Sequence, residues 1–141
     1  MLKNIPSCIS PDLMHALMSM GHGEEIVLAD ADFPAHTCNR RVLRADGLRV
    51  GTLLSAILPF FPLDPFVQDP VMVMAPVDKA APEPPVWGEF RGIIKANDPG
   101  FKDLKPLERF EFYDRARQAF AVVVTSEPDG NLILKKGPVM M

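Results

Sequence analysis

Apolar and polar positions along this chain switch between a helical and an extended period, and the switches mark out its elements. Leu13, Met14, Leu17 and Met18 recur at the spacing of one helical face. Ser10 stands where a helix cap belongs, Pro11 suits a first turn, Asp12 favours the positive end, and Gly21 is placed to stop the helix. The run Glu25-Ile26-Val27-Leu28-Ala29-Asp30 is apolar from Ile26 to Ala29 and ends in a carboxylate. That is the pattern of a buried strand delivering a polar group at its C-terminal edge. Residues 41–44 read as a second short strand, ended by Asp46-Gly47, and residues 50–58 as a helix closed by Pro59.

Val71-Met72-Val73-Met74 predicts another strand, and a proline-rich connector follows at residues 80–85. Residues 86–96 and 107–118 carry helical patterns. Two further strand-like runs, residues 120–125 and 132–134, flank Glu127-Pro128-Asp129-Gly130-Asn131, so a hairpin turning at Asp129-Gly130 is expected. Strands alternating with helices predict an α/β domain, and an antiparallel last pair makes its sheet mixed.

Composition narrows the function classes. The chain has 141 residues, enough for one domain spanning 1–141, and 48% of them are hydrophobic, enough for a buried core. Fifteen Lys and Arg against eighteen Asp and Glu leave a net charge of −3. No Lys/Arg run exceeds two residues, so the footprint of a nucleic-acid binder is missing. Cys8 and Cys38 form no C-x-x-C pair and are expected as free thiols of a reducing compartment. The first ten residues lack the apolar stretch of a signal peptide, and no apolar run is long enough to span a bilayer. A soluble cytoplasmic protein is therefore expected. The fifteen prolines, roughly twice ordinary usage, punctuate elements instead of forming a tail.

Four places could carry chemistry. In Met20-Gly21-His22-Gly23-Glu24-Glu25 a histidine sits between two glycines at a helix–strand junction, open to approach and suited to proton transfer near neutral pH. The same placement also describes a plain turn histidine at a helix end. Asp30, at the end of an apolar strand, lies where α/β folds hold ligands, and it could equally cap a turn. With His22, Asp32, His36 and Cys38 it matches no zinc spacing, so no metal is expected. Within residues 108–115, Arg109 and Tyr113 share a helical face and offer a guanidinium and a phenol, unless that face is merely solvated. Asn131 brings an amide able to donate and accept, or else ordinary turn chemistry. The Rossmann glycine fingerprint, the P-loop, the G-x-S-x-G elbow and H-E-x-x-H are all absent from the sequence.

Six blocks then fall in order from about Ile9 to Gly137: MGHGEEIVLADADFPA, VLRADGL, FPLD, PVWGEF, ERFEFYDRARQAFAVV and GNLILKKG. Together they resemble the ribose pyranase/fucose mutarotase (RbsD/FucU) family. The resemblance implies a three-layer α/β/α fold, monosaccharide substrates, no cofactor, and homo-oligomeric rings, commonly decamers, with sites near subunit interfaces. It implies that His22 is the proton donor and that Asp30 grips sugar hydroxyls. Asp64, Arg109, Tyr113 and Asn131 match substrate-contacting positions. In one place the chain departs from the pattern: the family's Tyr-Gly-Asn is here Asp129-Gly130-Asn131, in a loop that looks two residues shorter, and Thr-Gly-Glu is Thr125-Ser126-Glu127. Asp129 therefore either bonds sugar hydroxyls in place of the tyrosine or holds the turn.

The activity implied is anomer interconversion of L-fucose or a related reducing sugar. His22 would handle the ring-oxygen proton, and Tyr113 or a water the other. Ribose pyranase-type activity and a non-catalytic sugar-binding module are the alternatives.

Overall fold

The computed structural model describes residues 1–141. Helix α1 (Pro11–Ser19) begins as its sequence dictates: the Ser10 hydroxyl accepts from the Leu13 N–H at 3.1 Å, with Pro11 in the first turn. Strands β1 (Glu25–Ala29), β2 (Val42–Ala45) and β3 (Val71–Met74) follow the apolar runs, with α2 (Ala35–Cys38) and α3 (Val50–Ile57) between them. A 3-10 turn, Leu58–Phe60, takes in Pro59 and ends α3. Then come α4 (Val86–Asn97), β4 (Lys105–Leu107), α5 (Arg109–Gln118), β5 (Ala121–Thr125) and β6 (Leu132–Lys135).

The six strands form one mixed sheet in the order β2-β5-β1-β6-β3-β4. Side chains along each strand alternate between two cores, as the pleat requires. Ile26, Leu28, Val71, Val73, Ala121, Val123, Leu132 and Leu134 pack under α1, α3 and α4. Val27, Ala29, Met72, Val122, Val124 and Ile133 pack instead against Phe112 and Ala116 of α5 and Ala35 and Cys38 of α2. Helices on both faces give the expected three layers, and they explain why these strands are apolar at every position rather than at every second one.

The expected hairpin is not there. β5 and β6 both pair with β1, which lies between them: β5 runs parallel to it and β6 antiparallel. The connecting segment crosses the C-terminal end of β1, where the Ala31 N–H donates to the Glu127 carbonyl at 2.8 Å. A two-residue hairpin needs positive φ at the turn glycine, and Gly130 lacks it; the positive-φ glycines are Gly23 and Gly47. What Gly130 provides is room, because a Cβ there would lie 3.0 Å from Val86 and 3.3 Å from Phe90 on α4. Two short elements also went unread: α2, and β4, a Pro-containing edge strand whose sequence Lys-Pro-Leu has no apolar run.

Candidate active site

The register of β1 against β6 splits the candidate residues into two groups. Leu28 pairs with Leu132 and Glu25 with Lys135, so Asp30 and Asn131 meet at one edge of the sheet while His22 lies beyond the other. Five residues of strand at about 3.3 Å each put roughly 17 Å between the two edges.

At the C-terminal edge, Asp30 and Asn131 clasp each other. The Asp30 N–H donates to Asn131 Oδ1 at 2.8 Å, and Asn131 Nδ2 donates to Asp30 Oδ2 at 2.9 Å. The N–H groups of Asp32 (3.2 Å) and Gly130 (3.4 Å) also reach the carboxylate. A carboxylate has about four acceptor positions, so Asp30 keeps one for a ligand, and the Asn131 amide keeps one donor. Both residues are buried. Burial pushes the Asp30 carboxyl above its usual range, against the bonds from Gly130, Asp32 and Asn131, and the nearby charge of Asp129 adds to the rise.

Strand β3 runs the same way as β1, and it delivers Met74 to this edge, where the Met74 N–H donates to the Asn131 carbonyl at 3.3 Å. The Ala75 N–H donates to Leu107, the last residue of β4, which brings the start of α5 to the same side. Glu108 caps α5 by accepting from the N–H groups of Phe110 and Glu111. The helix therefore starts at Arg109, two residues later than its pattern suggested. The Arg109 guanidinium lies over the Phe110 ring at 4.6 Å, and the Tyr113 ring stands edge-on to Phe33, which follows β1. Asp30, Asp129, Asn131, Arg109 and Tyr113 thus belong to one edge. A cavity of about 240 Å³ opens beside Asp129, Gly130 and Asn131, its other side made by Met74, Ala75, Pro76, Val77, Pro84 and Trp87. The sequence reading missed this wall. Its one signal was a solitary tryptophan directly after a proline-rich connector.

At the opposite edge, residues 21–24 form a turn in which the Glu24 N–H donates to the Gly21 carbonyl, with Gly23 at φ 86°. That is a type II turn, which needs glycine at its third position and leaves His22 exposed at its corner. His22 Nε2 lies 3.2 Å from Asp64 Oδ1, and the His22 ring is 5.6 Å from that of Phe66. Asp64 is anchored by its own N–H to the Lys135 carbonyl, and its carboxylate also accepts from the Phe66 N–H at 3.0 Å. Burial would lift the Asp64 carboxyl, but the bonds from Phe66 and His22 and the charges of His22 and Lys135 outweigh it, and the net direction is down. An ionised Asp64 holds the proton on Nε2 and leaves Nδ1 as the nitrogen free to exchange.

No three His, Cys, Asp or Glu side chains gather into a metal-holding group. Both cysteines are free, and no helix is long and apolar enough to cross a membrane.

The chain is similar to known proteins over nearly its whole length. The chain is 48% identical to the human fucose mutarotase over 144 aligned residues, covering 96% of this chain and 93% of that one. It is 46% identical to the L-fucose mutarotase of Haemophilus influenzae strain 86-028NP, covering 97% and 96%. Its fold superposes with a TM-score of 0.92 on the fucose mutarotase of Streptococcus pneumoniae crystallised with L-fucose, at 42% identity and with 99% and 100% of the two chains covered. Residues 3–139 match the model of the RbsD / FucU transport protein family, and the chain belongs to that family.

Proposed function

We propose that this protein is an L-fucose mutarotase, an isomerase that interconverts the α and β anomers of the free sugar without a cofactor. The observation that carries the reading is the Asp30–Asn131 clasp: a buried acceptor and donor, held rigid, each with one bonding position left for a sugar hydroxyl. Relatives that share nearly half of its residues bear the same activity in their names.

Ring opening breaks the C1–O5 bond. A proton leaves the anomeric hydroxyl, another arrives at O5, and an open-chain aldehyde results; reclosure on the other face of C1 gives the other anomer. His22, as the imidazolium, gives the Nδ1 proton to O5 on opening and takes it back on reclosure, while Asp64 holds the Nε2 proton. Tyr113 serves the anomeric hydroxyl. Asp30, Asn131, Arg109 and Asp129 position the sugar, and Asp64 fixes the histidine beside it. Positioned proton transfer contributes about 10²–10⁴-fold, enough for a reaction that already proceeds slowly in water.

His22 and the clasp lie too far apart in one chain to touch one monosaccharide. The working site accordingly forms between copies of the chain in a homo-oligomer, with His22 and Asp64 of one copy facing Asp30 and Asn131 of its neighbour. Free cysteines suit the reducing interior of a cell, and we place the enzyme in the cytoplasm.

Saturation-transfer NMR on L-fucose tests the activity directly, since a protein that only binds sugar leaves the anomer exchange rate at its value in water. Subunit mixing tests the shared site. His22→Ala and Asp30→Asn proteins, each inactive, should regain part of the exchange rate when unfolded together and refolded. Mixtures as inactive as their parents would sink the shared site.

A further inference from the structure

Away from the clasp, arginines gather around one cavity in a chain whose net charge is negative. The cavity has a volume of about 380 Å³. On one side stand Asn39, Arg40 and Arg41, just before β2, and on the other Arg117, Ala119 and Phe120, between α5 and β5. Strands β2 and β5 run parallel to each other and to β1, so their N-terminal ends lie at the edge of the sheet opposite the Asp30–Asn131 clasp. We infer that this cavity binds the phosphate group of a small phosphate monoester, a sugar phosphate in size, at a site separate from the one that opens the sugar ring. The inference does not depend on the mutarotase reading.

The arginines have bonding capacity to spare. Arg44, Arg49, Arg91 and Arg115 each meet a carboxylate, whereas Arg40 and Arg41 meet none. Arg41 lies 4.1 Å over the Phe120 ring and donates one N–H to the Phe120 carbonyl at 3.3 Å. That orients its plane and leaves most of its five donors unused. Arg117 pairs with Asp114 at 2.6 Å, but both side chains are more than half exposed, and so weak a pair yields to a stronger acceptor. Cys38, also in the lining, adds no negative charge, because burial pushes its thiol up against the pull of Arg117.

The two sides are pinned to each other. Asn39 Nδ2 donates to the carbonyls of Ala116 at 2.9 Å and Ala119 at 2.8 Å, and Asn39 Oδ1 accepts from the Arg41 N–H at 2.8 Å. This staple also removes an obstacle. Open carbonyls at a helix C-terminus repel anions. Here the Asn39 amide takes up two of them, and Arg115 and Arg117 stand in the last turn of α5. A phosphate monoester brings about 1.5–2 negative charges and three acceptor oxygens near pH 7, a better match for several guanidinium forks than one carboxylate. The volume is at the lower end of small-molecule pockets, with room for more than the phosphate itself. Arg41 already covers the Phe120 face, so no ring is left for a base to stack on, which favours a sugar over a nucleotide.

Isothermal titration calorimetry of the whole protein tests the site with α-D-glucose 1-phosphate and inorganic phosphate as probes. Glucose 1-phosphate should bind several-fold more tightly than inorganic phosphate, and added sodium chloride should weaken both. Arg40→Gln combined with Arg41→Gln should weaken glucose 1-phosphate by about 10-fold or more, on the scale of hydrogen bonds to charged groups, and leave anomer exchange of L-fucose unchanged. Arg40→Gln alone should cost several-fold; that side chain is exposed and meets no carboxylate in the fold, so such a loss is not structural. Glucose 1-phosphate bound equally well by the double variant, or not bound by the parent, would overturn the site. Equal affinity for the two probes would overturn the monoester.

Discussion

The two ends of β1 carry the same chemical group in opposite settings. At the C-terminal end, the Asp30 carboxylate lies among backbone N–H groups and one amide, with no cation beside it, and burial pushes its pKa up. At the N-terminal end, Asp64 is equally covered but faces His22 and Lys135, and its pKa goes down. The first carboxylate is part of the fold, and it grips a ligand with what bonding capacity is left over. The second exists to hold an imidazole. One end builds a rigid binding surface and the other an exposed proton carrier, so substitutions at the two ends should fail in different ways.

The sharpest contrast is expected in rate. His22→Ala should lower anomer exchange of L-fucose by about 10²–10⁴-fold and lower the urea midpoint only slightly, because the side chain is half exposed and the buried Asp64 carboxylate keeps its bond from the Phe66 N–H. Full exchange in that variant would remove the histidine from the chemistry. Asn131→Ala should do the reverse of a clean catalytic loss. It strands the Asp30 N–H inside the protein and leaves Asp30 Oδ2 with only the long bond from the Gly130 N–H, and about 1–3 kcal/mol of stability should go with the sugar grip. A variant that loses binding but melts like the parent would show that the clasp is not structural.

The strands and most helices were legible because burial on both faces of the sheet leaves a signal that no surface segment imitates: Ile26 to Ala29 and Ala121 to Val124 are apolar without interruption. The pairing of β5 and β6 was misread because a Pro-Asp-Gly segment looks alike whether it reverses a chain or carries it over an intervening strand. Nothing local tells that β1, about a hundred residues earlier, occupies the space between. Asp30 was legible as a strand-end carboxylate, but its partner Asn131 stands 101 residues away, and His22 meets Asp64 across 42. Such pairs are products of strand order, which local periodicity does not encode. The cavity beside the clasp left even less trace, since Met74 and Trp87, which line it, read equally well as core.

The two carboxylates should also separate by pH. Asp30 has a folded-state pKa above its unfolded value, so its contribution to stability is complete below about pH 4 and is lost as pH rises through the folded value. Asp64 has the opposite sign: its contribution is present above about pH 4 and is lost as pH falls through its lowered folded value. In urea titrations across pH 2–7, Asp30→Asn should remove a downward slope on the neutral side of that range, and Asp64→Asn should remove a loss on the acid side. Identical profiles for the two variants would mean that their environments do not differ as described.

The smallest effect is expected at Arg91, which touches neither end of β1 but ties the connector to the C-terminal one. Its guanidinium holds Glu83 and Asp103 below the usual carboxylate range and is itself pushed further up, all three charges standing near solvent. Water screens such pairs, so the urea midpoint of Arg91→Ala should hardly move. The connector is another matter, because Glu83 immediately precedes the Pro84 of the cavity wall, and freeing it lets the wall open. The KM for L-fucose should rise about two- to five-fold, on the scale of exposed ion-pair losses, while His22 at the far edge keeps kcat where it was. Arg91→Lys should recover only part of the effect, since an ammonium cannot reproduce the fork onto both Glu83 oxygens. If kcat fell instead and KM stayed put, the connector would be coupled to the proton carrier, and the division between the two ends of β1 would not hold.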